Sequence, residues 1–176
     1  QTMARARNRV PCLYKITNRD AARLRRAGWK VVVFARDAVI SPARFSLSGA
    51  DKRQLRRMLR RAEDGGVAVR RLSDADLPAM ERVHESWLAR HGTERGLTMG
   101  RYCPAYLADK ISLGAFVDGK LVAFLSLVAG RDGMAVDLMR SGDKAPAGSM
   151  HALVMAAIDV AVQAKASELS LAALPH

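Results

Sequence analysis

The sequence predicts an α+β fold, a mixed and mostly antiparallel sheet flanked by helices, from three observations. From residue 67 onward, strand and helix patterns follow the order β, α, β-β-β, α, β. Asp118-Gly119 is a strong hairpin signal within that run. The 176 residues suffice to bury a core without disulfides, and an apolar content of 49% excludes a disordered chain.

Before Pro42 the predicted elements are short. They are strands over residues 13–16, 29–34 and 38–40 and a helix over residues 21–27. Asn18 or Asp20 is expected to cap this helix, and Gly28 is expected to end it. Ser41 and Pro42 then break the strand pattern.

The next segment, residues 49–66, predicts a basic amphipathic helix over about residues 51–64. Ser48 and Asp51 have the spacing of a capping box, and Gly65 follows the last turn. The apolar face comprises Leu55, Met58, Leu59 and Ala62. Six cations flank that face: Lys52, Arg53, Arg56, Arg57, Arg60 and Arg61. This stripe suits phosphate backbones or anionic lipid headgroups, and a merely solvated helix face is the alternative.

The charge of the chain is unevenly distributed. The net charge is +12, but residues 1–71 hold 19 Lys and Arg against 5 Asp and Glu, whereas the remaining residues hold 10 against 12. This asymmetry predicts an anionic partner, nucleic acid or membrane, for one region of the molecule. Aromatic residues make up only 5%, which argues against an aromatic platform for single-stranded bases.

Several classes of protein are excluded by simple patterns. No apolar stretch is long enough to cross a bilayer, and no secretory signal is visible. The two cysteines, Cys12 and Cys103, make no disulfide framework, and the four histidines lack the spacing of a zinc site. We therefore expect a reduced, cytosolic chain with no metal and no resident cofactor.

The second part of the chain predicts the complete layered unit. The strands are expected over residues 67–72, 113–117, 120–128, 134–140 and 168–174, and the helices over residues 77–90 and 150–165, with a short helical turn at residues 104–107. Ser73 or Asp74 is expected to open the first of these long helices. This order is that of the GNAT (acetyltransferase-like) fold.

The acyl donor of such a fold lies where the fourth strand gives way to the following helix, here Asp137 to Met150. Coenzyme A is usually held there by a glycine-rich loop, but residues 143–149 carry one Gly and one Pro and do not form that cradle. Gly148 and Ser149 remain candidates to hold an anion at the helix N-terminus. The loop predicts a donor other than acetyl-coenzyme A, with a degenerate coenzyme A motif as the alternative.

Two charged residues on the strand before this loop are candidate site residues. Asp137 lies between Val136 and Leu138, and a carboxylate there needs a partner or a ligand, such as the ammonium of an amino acid. Arg140 is suited to bind phosphate or to stabilise an oxyanion. Positions three apart on a strand face opposite sides, so a bend near Met139 would be needed to bring the two together. A structural ion pair between them is the alternative.

His151 opens the long helix beside the same loop. Contact with substrate is one interpretation of this residue, and an ordinary polar residue at a helix start is the other. Cys103 has no base fixed near it by the sequence, so we do not expect a catalytic thiol there.

Three segments resemble the aminoacyltransferase domain of phosphatidylglycerol lysyltransferases (lysylphosphatidylglycerol synthases). They are Phe45-Ser46-Leu47-Ser48-Gly49 with the basic helix that follows, residues 93–101 with Pro104-Ala105-Tyr106-Leu107, and Ala135-Val136-Asp137-Leu138-Met139-Arg140. Residues 13–39 are similar to the end of that family's first half. The resemblance covers about residues 10–174.

This resemblance implies a tandem of two GNAT-like halves joined by a basic helix. Residues 1–48 would then be the end of the first half, residues 49–66 the linking helix, and residues 67–176 the second half, truncated at its C-terminus. The implied reaction moves an aminoacyl group from aminoacyl-tRNA to phosphatidylglycerol, in the cytoplasm at the inner face of a bacterial membrane. The family domain is usually attached to a transmembrane partner domain.

The resemblance also assigns the site. Asp137 and Arg140 occupy the strand at the active cleft, and substrate contacts are expected from Glu94, Arg95, Gly148, Ser149 and His151. The six cations of residues 52–61 would meet tRNA or lipid phosphate. Two alternatives stay open at this point: a GNAT-type N-acyltransferase that uses acyl-coenzyme A, and a non-catalytic basic module that binds tRNA or an anionic membrane.

Overall fold

A computed structural model describes residues 6–14, 16–33, 35–94 and 100–175, without the side chains of residues 173–175. The chain divides into two compact units, one formed by residues 1–36 with 175–176 and the other by residues 37–174.

The first unit contains one described long helix, α1 (Asn18–Arg26). The predicted N-cap is wrong, because the helix begins earlier and the hydroxyl of Thr17 accepts a hydrogen bond from the Asp20 N–H at 3.1 Å. The predicted end is confirmed, since Gly28 follows the last turn with a φ of 80°. The predicted strands over residues 13–16 and 29–34 are also wrong, because none of the described residues 13–14, 16 and 29–33 is in a strand. The predicted strand over residues 38–40 is confirmed within a longer strand, Ala35–Ile40. Val32 and Val33 are 64% and 68% exposed. β-Branched residues alone do not form a strand, because a strand also needs neighbouring strands to pair with and a surface to pack on.

Six strands form one sheet. They are β1 (Ala35–Ile40), β2 (Ala68–Arg71), β3 (Ile111–Val117), β4 (Lys120–Ala129), β5 (Gly133–Ser141) and β6 (Glu168–Pro175). Their spatial order is β1-β6-β5-β4-β3-β2. The pairs β2–β3, β3–β4 and β4–β5 are antiparallel, whereas β5 and β6 pair parallel. The predicted mixed and mostly antiparallel sheet is confirmed.

The turn between β3 and β4 confirms the hairpin signal. Asp118 and Gly119 have φ angles of 48° and 73°, so both central residues are left-handed. Two left-handed residues define the type I′ turn, whose twist matches that of the flanking strands.

Helices cover both faces of the sheet. The helices of the second unit are α2 (Arg53–Asp64), α3 (Leu77–His91), α4 (Pro104–Leu107) and α5 (Ser149–Gln163). On one face, Leu153 and Ala157 of α5 pack against Leu125. On the other, Met80 of α3 and Leu107 of α4 pack around Phe124. Each face therefore has its own core.

The predicted beginning of α2 is wrong, whereas that of α3 is confirmed for Ser73. The capping box expected at Ser48 does not form, because its hydroxyl bonds that of Ser46 at 2.7 Å and a 3₁₀ turn over Ala50–Lys52 leads into α2. The capping box that does form joins Ser73 and Asp76 ahead of α3. The predicted apolar face of α2 is confirmed, with Ala62 only 2% exposed.

The sheet opens between β5 and β6. Their parallel pairing joins Gly133–Ala135 to Glu168–Ser170, and among the described residues of the two strands it extends no further. The two strands therefore separate from about Val136 onward. This opening lies at the level of Asp137.

Candidate functional site

A β-bulge at Asp137 organises the site. Ser126 of β4 pairs with Leu138, whereas the next residue, Leu127, pairs with Val136, so Asp137 is the extra residue of β5. The hydroxyl of Ser126, which is fully buried, accepts the Leu138 N–H at 3.2 Å. A buried serine in an apolar strand thus satisfies a backbone donor in the disturbed ladder.

The bulge changes which face of the sheet the strand supplies. Before it, Met134 and Val136 belong to the core under α5; after it, Leu138 belongs to the core under α3 and α4. One extra residue reverses the alternation of side chains. Asp137 contacts Tyr106 and Arg140 contacts Trp87, so both lie on the α3 and α4 face. The strand changes direction at Asp137 rather than near Met139, which corrects the predicted position of the bend.

Asp137 is half-buried and bound by one phenol. Tyr106 donates its hydroxyl to Oδ2 of Asp137 at 2.9 Å. Burial, followed by this hydrogen bond, raises the pKa of Tyr106, so the phenol stays protonated as a donor. Gly100 passes so close that a Cβ there would overlap the Asp137 carboxyl group. Among the described residues Asp137 makes no ion pair, which leaves its carboxylate available to a cation.

Arg140 is 2% exposed and is held on two sides. Its Nη2 donates to Glu94 Oε1 at 2.6 Å, and its guanidinium lies 3.9 Å from the ring centroid of Trp87. The alternative of an Asp137–Arg140 ion pair is wrong, because the partner of Arg140 is Glu94. The buried Nε of Arg140 has no hydrogen-bond partner among the described residues.

Glu94 connects Arg140 to the segment that crosses the site. Its Oε1 also accepts the Tyr102 N–H at 3.1 Å. Burial opposes ionisation of this carboxyl, but the hydrogen bonds from Arg140 and Tyr102, together with the charge of Arg140, outweigh it, and the pKa of Glu94 falls below its ordinary value. Glu94 is therefore an anion that positions other groups. Arg95, predicted beside it, lies outside the described residues.

A stack of rings on α3 supports this arrangement. The ring centroids of His84 and Tyr102 are 4.5 Å apart, and those of Trp87 and His91 are 4.6 Å apart. His84 is buried, and burial lowers its pKa. Sequence reasoning missed this stack, although the spacing of residues 84, 87 and 91 along one helix was the available signal.

The loop after β5 is built for packing. Ser149 donates its hydroxyl to the Pro146 carbonyl at 2.7 Å. Gly148 has a φ of 97°, and a Cβ there would collide with the Met58 carbonyl of α2. The polar group of Ser149 and the open side of Gly148 are thus occupied by contacts within the protein. His151 is exposed and lines an apolar cavity of about 270 Å³ with Phe45 and Leu55. None of these three residues is brought to the face that holds Asp137.

The six predicted cations of residues 52–61 separate into two groups. Arg56 donates to the carbonyls of Leu47 and Gly49 at 2.5 and 2.8 Å, and Lys52 pairs with Asp51 at 2.6 Å. The others are exposed and make no ion pair among the described residues: Arg53, Arg57, Arg60 and Arg61. The structure therefore leaves four arginines on α2 available to an anionic partner.

Two further kinds of site are absent from the described residues. No group of three His, Cys, Asp or Glu side chains has an arrangement that could hold a metal ion. No helix there has the length and apolar content needed to cross a bilayer.

Known proteins resemble this chain in sequence. A family model described as "Phosphatidylglycerol lysyltransferase, C-terminal" matches residues 1–176. The lysylphosphatidylglycerol biosynthesis bifunctional protein LysX of Rhodococcus jostii is 34% identical over 138 residues, which are 73% of this chain and 12% of that protein. The protein of the same name from Mycolicibacterium vanbaalenii is 35% identical over 141 residues, 76% of this chain and 13% of that protein.

Two solved structures share the fold. L-PGS from Bacillus licheniformis superposes with a TM-score of 0.81 at 24% identity, covering 93% of this chain and 52% of that one. The C-terminal domain of a protein named as a lysylphosphatidylglycerol synthetase from Agrobacterium fabrum gives a TM-score of 0.84 at 24% identity, covering 99% and 57%. This chain therefore spans about an eighth of the LysX relatives and about half of the two solved chains. By the family model, which matches its whole length, the chain belongs to the phosphatidylglycerol lysyltransferase C-terminal family.

Proposed function

We propose that this chain carries the transfer site of an enzyme that moves an aminoacyl group from aminoacyl-tRNA to phosphatidylglycerol. Membership of the family supports the reaction class, and the LysX relatives are named for lysylphosphatidylglycerol biosynthesis. The opening between β5 and β6 lies beside the bulged strand and is the proposed place of the acyl group. The donor amino acid and the acceptor lipid are parts of the proposal.

The observation that carries the proposal is the carboxylate of Asp137. It lies half-buried at the start of the opening, and Tyr106 supplies its hydrogen bond. A carboxylate in such a place requires a compensating partner. The ammonium group of an aminoacyl ester supplies one, so Asp137 would fix the amino acid at the reacting end of the donor.

Arg140 is assigned to the carbonyl oxygen of the same ester. Glu94 and Trp87 hold its guanidinium, while its buried Nε–H has no hydrogen-bond partner among the described residues. A fixed donor of this kind stabilises the negative charge that develops on a carbonyl oxygen under attack. Glu94 acts in the proposal as a positioning residue for Arg140.

The proposed step is an ester exchange. The hydroxyl oxygen of the lipid headgroup bonds to the carbonyl carbon, the bond from that carbon to the terminal ribose oxygen breaks, and the proton of the lipid hydroxyl passes to the departing ribose oxygen. One ester replaces another, so the main requirements are orientation and stabilisation of the oxyanion.

Phosphate contacts and membrane attachment complete the proposal. The four free arginines of α2 would bind phosphates of tRNA or of the lipid surface. Residues 1–48 are proposed as the end of a preceding GNAT-like half, residues 49–66 as the link and residues 67–176 as the second half. A transmembrane domain elsewhere in a longer protein would hold the site at the inner face of the membrane.

Use of acyl-coenzyme A is not favoured. A coenzyme A cradle needs backbone N–H groups free at the start of α5. Here the Ser149 N–H donates to the Pro146 carbonyl at 3.1 Å, and Gly148 is pressed against α2.

The proposal is tested by incubating the chain with charged tRNA and phosphatidylglycerol vesicles and measuring aminoacylated lipid. Asp137→Asn is expected to lower the transfer rate by about a hundredfold or more, because the amide cannot neutralise the ammonium group, and to leave tRNA binding intact. Asp159→Asn, at an exposed carboxylate on α5, is the matched control. Unchanged transfer by Asp137→Asn would refute the site, and absence of lipid product with every charged tRNA would refute the function.

A further inference from the structure

We propose that a cationic groove beside the transfer site binds the single-stranded 3′ end of the RNA donor. Its cations are Arg70, Arg82, Lys120 and Lys144, and we name it the hairpin groove because the β3–β4 hairpin forms one wall. The inference rests on the proposed function for the identity of the RNA. It assigns phosphate contacts away from α2 and a place where a base stacks.

The hairpin groove is a hollow of about 660 Å³ assembled from four elements. Arg70 comes from β2, Arg82 from α3, Lys120 from β4, and Lys144 from the loop after β5. Cations that converge on one hollow from separate elements make a region of positive potential suited to a polyanion.

Three of these cations are free to bind phosphate. Arg82, Lys120 and Lys144 are exposed and make no ion pair among the described residues. The two acids of the groove are already bound. Asp76 accepts two hydrogen bonds from Arg70, and Asp143 accepts the Ser86 hydroxyl at 3.3 Å while its N–H donates to the same hydroxyl at 3.1 Å. The groove therefore has a surplus of uncompensated positive charge.

Arg70 forms a fixed plane at the wall of the groove. Two bonds of 2.9 and 2.7 Å join its Nη1 and Nη2 to Asp76, and its guanidinium lies 4.1 Å from the centroid of Phe116. Its side chain is nevertheless 53% exposed. Unpaired RNA bases stack on arginine planes as well as on aromatic rings. The guanidinium of Arg70 thus supplies a stacking surface for a base in a chain that has few aromatic residues.

The groove shares two structural elements with the transfer site. Ser86 lines the groove, and the next residue of α3, Trp87, covers Arg140. Gly142 and Asp143 follow Arg140 within three residues, and Arg90 of α3 donates to the carbonyl of Ser141. An RNA end in the groove would therefore meet the same helix and the same end of β5 that hold Arg140.

The shape of the groove favours a polynucleotide over a bilayer. A bilayer surface is broad and meets exposed convex elements, whereas these cations surround a hollow between a helix, a hairpin and a loop. A single strand enters such a hollow and exchanges its counterions for lysine and arginine.

The test compares two triple variants of the chain. Arg82→Ala/Lys120→Ala/Lys144→Ala removes the free cations of the groove, and Arg44→Ala/Arg131→Ala/Lys165→Ala removes three exposed cations elsewhere. The probes are a short single-stranded RNA and vesicles of phosphatidylglycerol with phosphatidylcholine. The groove variant is expected to bind RNA about tenfold more weakly, with the slope of log affinity against log salt reduced by about 2, since each single-strand contact contributes about 0.7. The control variant should match the wild type, and vesicle binding should be unchanged in both.

Arg70→Lys tests the stacking surface separately. Lysine keeps the charge beside Asp76 but has no plane, so we expect a loss of RNA affinity of about fivefold or more with the salt slope preserved. Wild-type affinity in this variant, an equal loss in the control triple variant, or a loss of vesicle binding in place of RNA binding would each overturn the assignment.

The outcomes also separate this inference from the proposed function. A chain that loses RNA in the groove variant but never forms aminoacylated lipid supports the groove and contradicts the reaction. A chain that forms aminoacylated lipid from charged tRNA equally well in the wild type and in the groove variant supports the reaction and overturns the groove.

Discussion

Asp137 and Arg140 are held by different partners, and this difference separates their expected contributions. Asp137 receives a neutral phenol from Tyr106 and makes no ion pair among the described residues. Arg140 is neutralised by Glu94 and covered by Trp87. Asp137 is thus suited to bind a cationic group directly, whereas Arg140 offers a single directed donor.

His84 makes the stability of the protein depend on pH. Burial lowers the pKa of His84, Glu94 opposes this effect and Arg140 adds to it. The folded protein therefore binds this proton less readily than the unfolded chain. The contribution of the neutral His84 to stability is present in full above the ordinary pKa of 6.5. This contribution is lost as the pH falls from that value towards the lowered pKa of the folded protein.

We predict that His84→Phe removes this pH dependence. Phenylalanine can stack on Tyr102 but takes up no proton, so its free energy of unfolding should fall less than that of the wild type between pH 7.5 and pH 5. Urea unfolding at the two pH values measures the difference, and the other histidines are common to both proteins. Parallel pH profiles for the two proteins would contradict the prediction.

At the scale of single elements, one side of α2 packs against the rest of its unit and the other side is exposed and cationic. Its inner side packs against the start of α5, where Gly148 meets Met58, and Arg56 ties down the preceding loop. Its outer side carries the four free arginines. The helix is therefore rigidly placed where it presents those charges.

We predict that replacing Arg53, Arg57, Arg60 and Arg61 with Ala weakens tRNA binding and lowers its salt slope by about 3, because up to four phosphate contacts are lost. Filter binding over a salt series measures this. Arg56→Ala is the matched control: it should reduce stability by about 1–2 kcal/mol through its lost hydrogen bonds and leave the slope nearly unchanged. An unaltered slope in the quadruple variant would contradict the prediction and show that these arginines only solvate the helix surface.

The contact between α2 and α5 gives a prediction about glycine. Gly148→Ala is expected to destabilise the protein by more than about 3 kcal/mol, because its φ of 97° is unfavourable and its Cβ would collide with a carbonyl. Gly66→Ala separates the two causes. Gly66 has a φ of 69° with no atom near its Cβ position, so only about 1–2 kcal/mol should be lost. Thermal unfolding compares them, and equal losses would contradict the close contact.

The elements predicted correctly are those with local signals. The meander of β3, β4 and β5 follows from alternating apolar residues and from Asp118-Gly119, and the end of α2 follows from Gly65. The bulge was missed because it depends on how β4 and β5 pair. The burial of Arg140 was missed because its partner Glu94 lies 46 residues away, and the hydrogen bonds of Arg56 were missed because they depend on how the preceding loop folds back on α2. Local patterns determine elements, whereas long-range contacts decide which charged groups remain free.

At the scale of the whole molecule, the excess of positive charge and the proposed transfer site lie in different parts of the sequence. The excess of cations lies in residues 1–71, whereas the residues around Asp137 belong to the nearly neutral remainder. Long-range attraction of a polyanion therefore depends mainly on residues 1–71, whereas the proposed reaction depends on the residues around Asp137. Long-range attraction is screened by salt, but contacts made inside a protein are screened much less.

We therefore predict that the salt dependence of transfer follows the donor. With charged tRNA, kcat/KM should fall steeply as salt rises, because many phosphate contacts are lost. With an aminoacylated adenosine, which has no phosphodiester backbone, kcat/KM should change little. Transfer to phosphatidylglycerol in detergent micelles of fixed composition measures both, and equal salt slopes for the two donors would contradict the separation.

The bulge at Asp137 has a consequence for changes in chain length. Because Asp137 is the extra residue, its removal would leave Val136 opposite Leu127 and Leu138 opposite Ser126, so every later residue would keep its face. Removal of Met139 instead would turn Arg140 away from Glu94 and towards α5. A deletion at position 137 would therefore remove the carboxylate and leave both cores intact, whereas a deletion further along the strand would exchange their contents.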